Sequence, residues 1–165
     1  MGLPRPSATE LFRAGDIAGL IAALDVEELD DGRANDARVA LSLIGEAAIP
    51  LLLGEIARRA GAPGCGHLTS FRCQRARIAL AGIGAPAVAY LLDAIRYGDA
   101  RLAEGAAECL EAIEEGGVVL LDAASPTPPV AVAYPADVQA AFACKLGRPL
   151  AARSLWPRNV DRNAG

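Results

Sequence analysis

The stretch Ala37-Arg38-Val39-Ala40-Leu41-Ser42-Leu43-Ile44-Gly45 returns, with conservative changes, as Ala76-Arg77-Ile78-Ala79-Leu80-Ala81-Gly82-Ile83-Gly84. A shift of 39 residues carries the match on to Ile56 and Ile95, with ten of twenty positions identical, among them Ala48/Ala87, Leu52/Leu91 and Leu53/Leu92. Self-similarity at such a period is the mark of a stack of supersecondary units. Ala37, Ala40, Leu41 and Ile44 fall at i, i+3, i+4 and i+7, which is one stripe on a helix of 3.6 residues per turn. Gly45 then supplies a C-cap, and Ala48, Ile49, Leu52, Leu53 and Ile56 draw a second stripe,. Pro50 and Pro86 stand near the start of that second helix, where a missing N–H has no intrahelical partner to lose. The repeat therefore predicts two helical hairpins, each a helix A, a glycine stop and a helix B.

Upstream, Ser7 and Glu10 fit a capping box that opens a short helix through Leu11 and Phe12,. Ile17, Leu20, Ile21 and Leu24 repeat Ile49, Leu52, Leu53 and Ile56 at a shift of 32, with Asp16 as N-cap, so an abbreviated hairpin precedes the matched pair,. Downstream, Ala106, Leu110 and Ile113 repeat Ala76, Leu80 and Ile83 at a shift of 30, but Gly116 to Leu121 is a poor helix former and the unit decays,. Pro126, Pro128, Pro129 and Pro135 exclude a helix from the next segment,. Asp137 then caps a short helix bearing Val138, Ala141 and Phe142, closed by Gly147 and placed to cover the open end,. The fold expected is all-α. It is a short α-α superhelix of about three hairpins over residues 1–124, a Pro-rich connection and degenerate capping helix over 125–147, and a basic, flexible tail over 148–165.

Composition agrees with small, close-packed helices. The 165 residues suit one domain,, and 53% hydrophobic with only 4% aromatic residues requires a core of Ala, Leu, Ile and Val,. No apolar run approaches the roughly 20 residues of a spanning helix. Met1 to Leu20 lacks a basic start followed by an unbroken apolar stretch, so the expectation is a soluble, cytoplasmic protein without membrane contact. A net charge of −4 argues against broad nucleic-acid binding,. The charge is uneven: Lys145 to Gly165 carries +4, leaving −8 for the rest. Cys65, Cys73, Cys109 and Cys144 are widely spaced, and reduced thiols are expected,.

With two hairpins in register, and on the motifs at Ala37 to Gly45 and Ala76 to Val88, the chain resembles the HEAT-like, armadillo-like repeat superfamily, and especially its short-unit members related to phycobilisome lyases. The resemblance covers roughly Asp16 to Ile113 and implies a solenoid in which Arg38 and Arg77 bond to a neighbouring turn. The function it implies is that of a scaffold, adaptor or regulatory subunit binding another protein. It also implies one alternative, a lyase-like or chaperone-like protein acting on a chromophore-bearing partner. HEAT-type hydroxylases hold iron through repeated His-Glu pairs, and here the single histidine, His67, precedes Leu68. Any Ser-His-Asp or Cys-His arrangement would also have to be built on His67. No enzyme and no cofactor are expected.

Three features could still carry binding. The excess of the 39-residue spacing over 30 lies near Gly61 to Arg72, where Gly61 to Gly66 lacks the Gly-Lys-Ser/Thr ending of a phosphate loop,. Cys65, His67 and Cys73, with Cys109 as a fourth ligand, match no standard zinc signature, and no metal is expected,. On helix B, the face opposite the core stripe carries Leu51, Gly54 and Arg58, then Tyr90, Asp93 and Tyr97. That face predicts a shallow protein-binding groove with amphipathic tyrosine anchors, set against the alternative that the tyrosines pack on neighbouring units. Glu104, Glu108, Glu111 and Glu115 form an acidic stripe that could receive a basic partner or the chain's own tail, or simply be solvated,. Trp156 among Arg153, Arg158 and Arg162 offers a docking or nucleic-acid motif.

Overall fold

The computed structural model describes residues 6–25, 32–58, 71–116 and 130–150. Every regular element among them is a helix: α1 (Ala8–Ala14), α2 (Ile17–Ala23), α3 (Gly32–Ile44), α4 (Ile49–Arg58), α5 (Phe71–Ile83), α6 (Ala85–Tyr97), α7 (Ala100–Glu114) and α8 (Ala136–Leu146). A short 3-10 turn, Gly45–Ala48, joins α3 to α4. Cys65, His67, Gly61 to Gly66, Gly117 to Leu121 and the tail residues Arg153, Trp156, Arg158 and Arg162 lie outside the described residues.

Local chemistry sets the helix ends. Ser7 Oγ accepts from the Glu10 amide at 3.2 Å while Glu10 Oε2 accepts from the Ser7 amide at 2.7 Å, a reciprocal capping box at the start of α1. Asp16 accepts from the Gly19 amide at 2.8 Å and opens α2. Gly45 and Gly84 both adopt φ of +73°, a backbone that side chains rarely tolerate,. Positive-φ glycines also follow α1, at Gly15, and α7, at Gly116, so the same stop recurs at the end of each odd-numbered helix. The two matched turns nevertheless differ. Pro86 lies in the first turn of α6, which starts directly after Gly84. The first unit has no proline until Pro50, and Gly45 to Ala48 wind as 3-10 before α4 begins. Gly45 therefore does not end helical winding as the sequence predicts. By length and composition alone the run Gly32–Ala57 is long and apolar enough to cross a membrane, a criterion that buried core helices also meet. Its core positions Ala37, Leu41, Ile49 and Leu52 are buried within this fold.

The odd-numbered helices pack in chain order, α1 on α3, α3 on α5 and α5 on α7. The even-numbered helices do the same from α2 to α8, and α2, α4 and α6 each lie against the odd-numbered helix that follows. Leu41, Ile49, Leu52, Leu80, Leu91 and Ile95, all from the repeat stripes, are fully buried. Glycine leaves room for α3 against α5 and for the Ile56 side chain of α4 against α7. A Cβ on Gly82 would stand 2.6 Å from Ser42 Oγ, and one on Gly105 would stand 2.8 Å from Ile56 Cγ2. Ser42 Oγ itself lies 3.1 Å from the Ala79 carbonyl, a bond across α3 and α5.

Two buried charged residues sit where α2, α4 and α5 meet. Glu55 lies 2.7 Å from Arg72 Nε. Arg75 Nη1 donates at 2.8 Å to the carbonyl of Leu24, the C-cap of α2. Such groups are retained in an interior only with partners of this kind. At the far end, α8 packs on both α6 and α7, and its N-cap is Pro135 rather than Asp137, which occupies the first turn. Beyond α8, Leu150 is buried with the core.

Two glycines predict opposite outcomes. Gly54, exposed within α4 with open space around its Cβ position, should stabilise by roughly 0.5–1 kcal/mol when changed to alanine. Gly84→Ala, at φ +73° and ψ −134°, should destabilise by about 1–3 kcal/mol. Urea unfolding midpoints read both, and a Gly84→Ala chain as stable as the parent would contradict the turn assignment.

Candidate interaction surfaces

On α6 the helical period separates two faces. Ala87, Leu91, Ala94 and Ile95 point into the core, while Tyr90, Asp93 and Tyr97 lie on the outer stripe, with Tyr90 37% and Tyr97 82% exposed. Tyr90 Oη donates to Glu46 Oε1 at 2.8 Å, tying α6 to the turn before α4. That bond, and then the Glu46 charge, raises the phenol pKa. Asp93 accepts from Arg96 Nη1 at 2.8 Å, and Arg96 Nε donates to Asp137 of α8 at 2.5 Å. The bond to Asp137 is the main reason the Arg96 guanidinium pKa is raised. Leu51 is a separate exposed apolar side chain on α4, 48% accessible. Arg58 ends α4, and its side chain lies outside the described residues.

Sequence reasoning missed Glu46 and Leu43, at 72% the most exposed leucine among the described residues. Glu46 follows the turn glycine, and only the packing of α6 beside that turn gives it a role. Leu43 corresponds to Gly82 in the next unit, so the repeat itself marks it as a position the core does not require.

Of the occupants considered for the acidic stripe of α7, the chain's own basic end is met at one position, through Arg148. Glu108 is ion-paired with Arg77 of α5, and Glu104 with Arg148 beyond α8. Glu111 is half-buried and Glu115, the C-cap, is exposed. The adjacent Glu114 accepts from Tyr134 Oη at 2.9 Å. Burial and that bond push the Tyr134 phenol well above its ordinary range, and the Glu114 and Glu111 charges add to the effect. Carboxylates beside half-buried arginines are more stable paired than solvated singly. Arg77 thus reaches a neighbouring helix rather than a turn, and the equivalent Arg38 is half-buried, a desolvation that lowers its pKa.

Cys73 and Cys109 are buried and Cys144 is exposed, all three as free thiols. Cys109 Sγ lies 3.8 Å from the Arg77 carbonyl. Burial pushes its pKa up to about 12, against an opposing pull from Arg77. Among the described residues no group of three or more His, Cys, Asp or Glu side chains is placed to hold a metal ion.

Thiol reactivity follows thiolate fraction and access. Iodoacetamide at pH 8 should therefore modify Cys144 at least about tenfold faster than Cys109 in the native protein, by peptide mass mapping. Equal rates would contradict the burial of Cys109.

Comparison of the chain with protein-family models, with curated proteins and with solved structures finds no match.

Proposed function

We propose that the chain is a non-catalytic protein-interaction module, an adaptor, scaffold or regulatory subunit built as a short HEAT-like α-α superhelix. The in-order packing of odd- and even-numbered helices supports the superhelical reading, as does the glycine stop after α1, α3, α5 and α7. On this reading there are four hairpins, and α8 is the helix B of the last rather than an added cap.

The observation that carries the proposal is the outer stripe of α6. A core built almost wholly from aliphatic side chains and alanine leaves two tyrosines outside it, Tyr90 and Tyr97, spaced two helical turns apart with Asp93 between. Tyrosine offers a large amphipathic contact with few rotatable bonds, and it is enriched where interfaces draw their binding energy. The α7 stripe is the weaker candidate because Glu104 and Glu108 already have arginine partners.

Replacing Tyr90 and Tyr97 by alanine removes no buried side chain, so circular dichroism and the thermal midpoint should hold. Capture of the native partner by the tagged full chain should weaken by roughly tenfold or more, the usual scale for truncated aromatic anchors. Capture at the parental level would reject the tyrosine stripe as the binding surface.

A further inference from the structure

Helix α8 differs from the other helices in how it is attached. Residues 115–135, with four prolines, separate it from α7, whereas Gly84 alone separates α5 from α6. Its buried contribution rests on Val138 and Phe142, at i and i+4. Around these apolar anchors, polar contacts hold each end. Asp137, in the first turn, meets Arg96 of α6 at 2.5 Å. Near the last turn, Lys145 Nζ donates to the carbonyls of Ile95 and Arg96 at 2.5 and 2.8 Å. These are among the carbonyls that the end of α6 leaves without intrahelical partners. Beyond the helix, Arg148 pairs with Glu104 of α7 and its guanidinium carbon lies 5.8 Å from the centre of the Phe142 ring.

Two apolar anchors at helical spacing, flanked by charge-assisted contacts, are how an amphipathic helix binds a groove on another protein. We infer that the surface between α6 and α7 is a helix-recognition site that the chain fills with its own α8. Its ligand is an amphipathic helix with an acidic first turn, apolar residues matching Val138 and Phe142, a lysine matching Lys145 and an arginine three residues further on. Arg96, the terminal carbonyls of α6 and Glu104 read the polar positions, and the apolar wall of α6 and α7 reads the other two. Tethering gives α8 a high effective concentration. A partner helix of the same pattern therefore competes with it, and weakening α8 opens the site. The inference does not depend on the tyrosine stripe.

The test changes the tethered ligand and leaves the site intact. In full-length protein, Asp137→Arg together with Arg148→Glu sets like charges against Arg96 and Glu104 while keeping every buried residue. A fluorescein-labelled synthetic peptide of residues 134–150 is titrated into this variant and into the parent by fluorescence anisotropy. The peptide should bind the variant at least about tenfold more tightly than the parent, because the tethered competitor is weakened. A peptide with Phe142→Ala should lose binding by about tenfold or more, the cost of an anchor. Equal affinity for parent and variant, no binding to either, or undiminished binding of the Phe142→Ala peptide would each overturn the inference.

Discussion

The arrangement depends on two glycines that leave room for a neighbouring helix. Beside Gly82 of α5 the space is taken by the Ser42 hydroxyl of α3, and beside Gly105 of α7 by the Ile56 methyl of α4, with the Arg77 side chain of α5 next. Helices this close bury their surface on alanine, as at Ala37, Ala40, Ala76, Ala79, Ala103 and Ala106. A core nearly free of aromatic residues follows from that geometry, since interiors are packed to the density of organic crystals and leave no room for a ring between such helices. It also explains why Ser42 bonds to the Ala79 carbonyl: at this separation its hydroxyl meets backbone.

What could be read in the sequence was whatever the helical period and the turn residues write locally. The stripes of both matched hairpins, the capping box at Ser7 and the N-cap at Asp16 are local patterns, and they stand in the structure as expected. Gly15 and Gly116 carry the same positive-φ stop as Gly45 and Gly84, yet unequal spacing and poorly matched flanks hid them from the self-comparison. A helix that brings Val138 and Phe142 over the open end was legible from their spacing and from Gly147. That it packs on both α6 and α7 depends on contacts no local pattern writes.

The candidate surfaces divide in the same way. That Tyr90, Asp93 and Tyr97 share a face is a statement about periodicity and was legible. For the carboxylates of α7 the sequence left a basic partner, the chain's own tail and solvent all open, because a residue's charge does not name its neighbour: Arg77 lies 31 residues before Glu108, and Arg148 lies 44 after Glu104. Glu46, Arg96 and Lys145 drew no attention as single residues. Each acquires its role by meeting a group supplied by another helix, respectively the Tyr90 hydroxyl, the Asp137 carboxylate and the last carbonyls of α6. The molecule thus uses charge largely to fasten its own elements.

The central claim is that close approach through glycine sets the order of the helices. Nuclear Overhauser spectroscopy on the full-length protein tests it most directly. The account predicts cross-peaks from the Gly82 α protons to the Ser42 β protons, and from the Gly105 α protons to the Ile56 γ2 methyl group. Loss of both sets, in a protein whose chemical shifts still report helices α3, α4, α5 and α7, would contradict it.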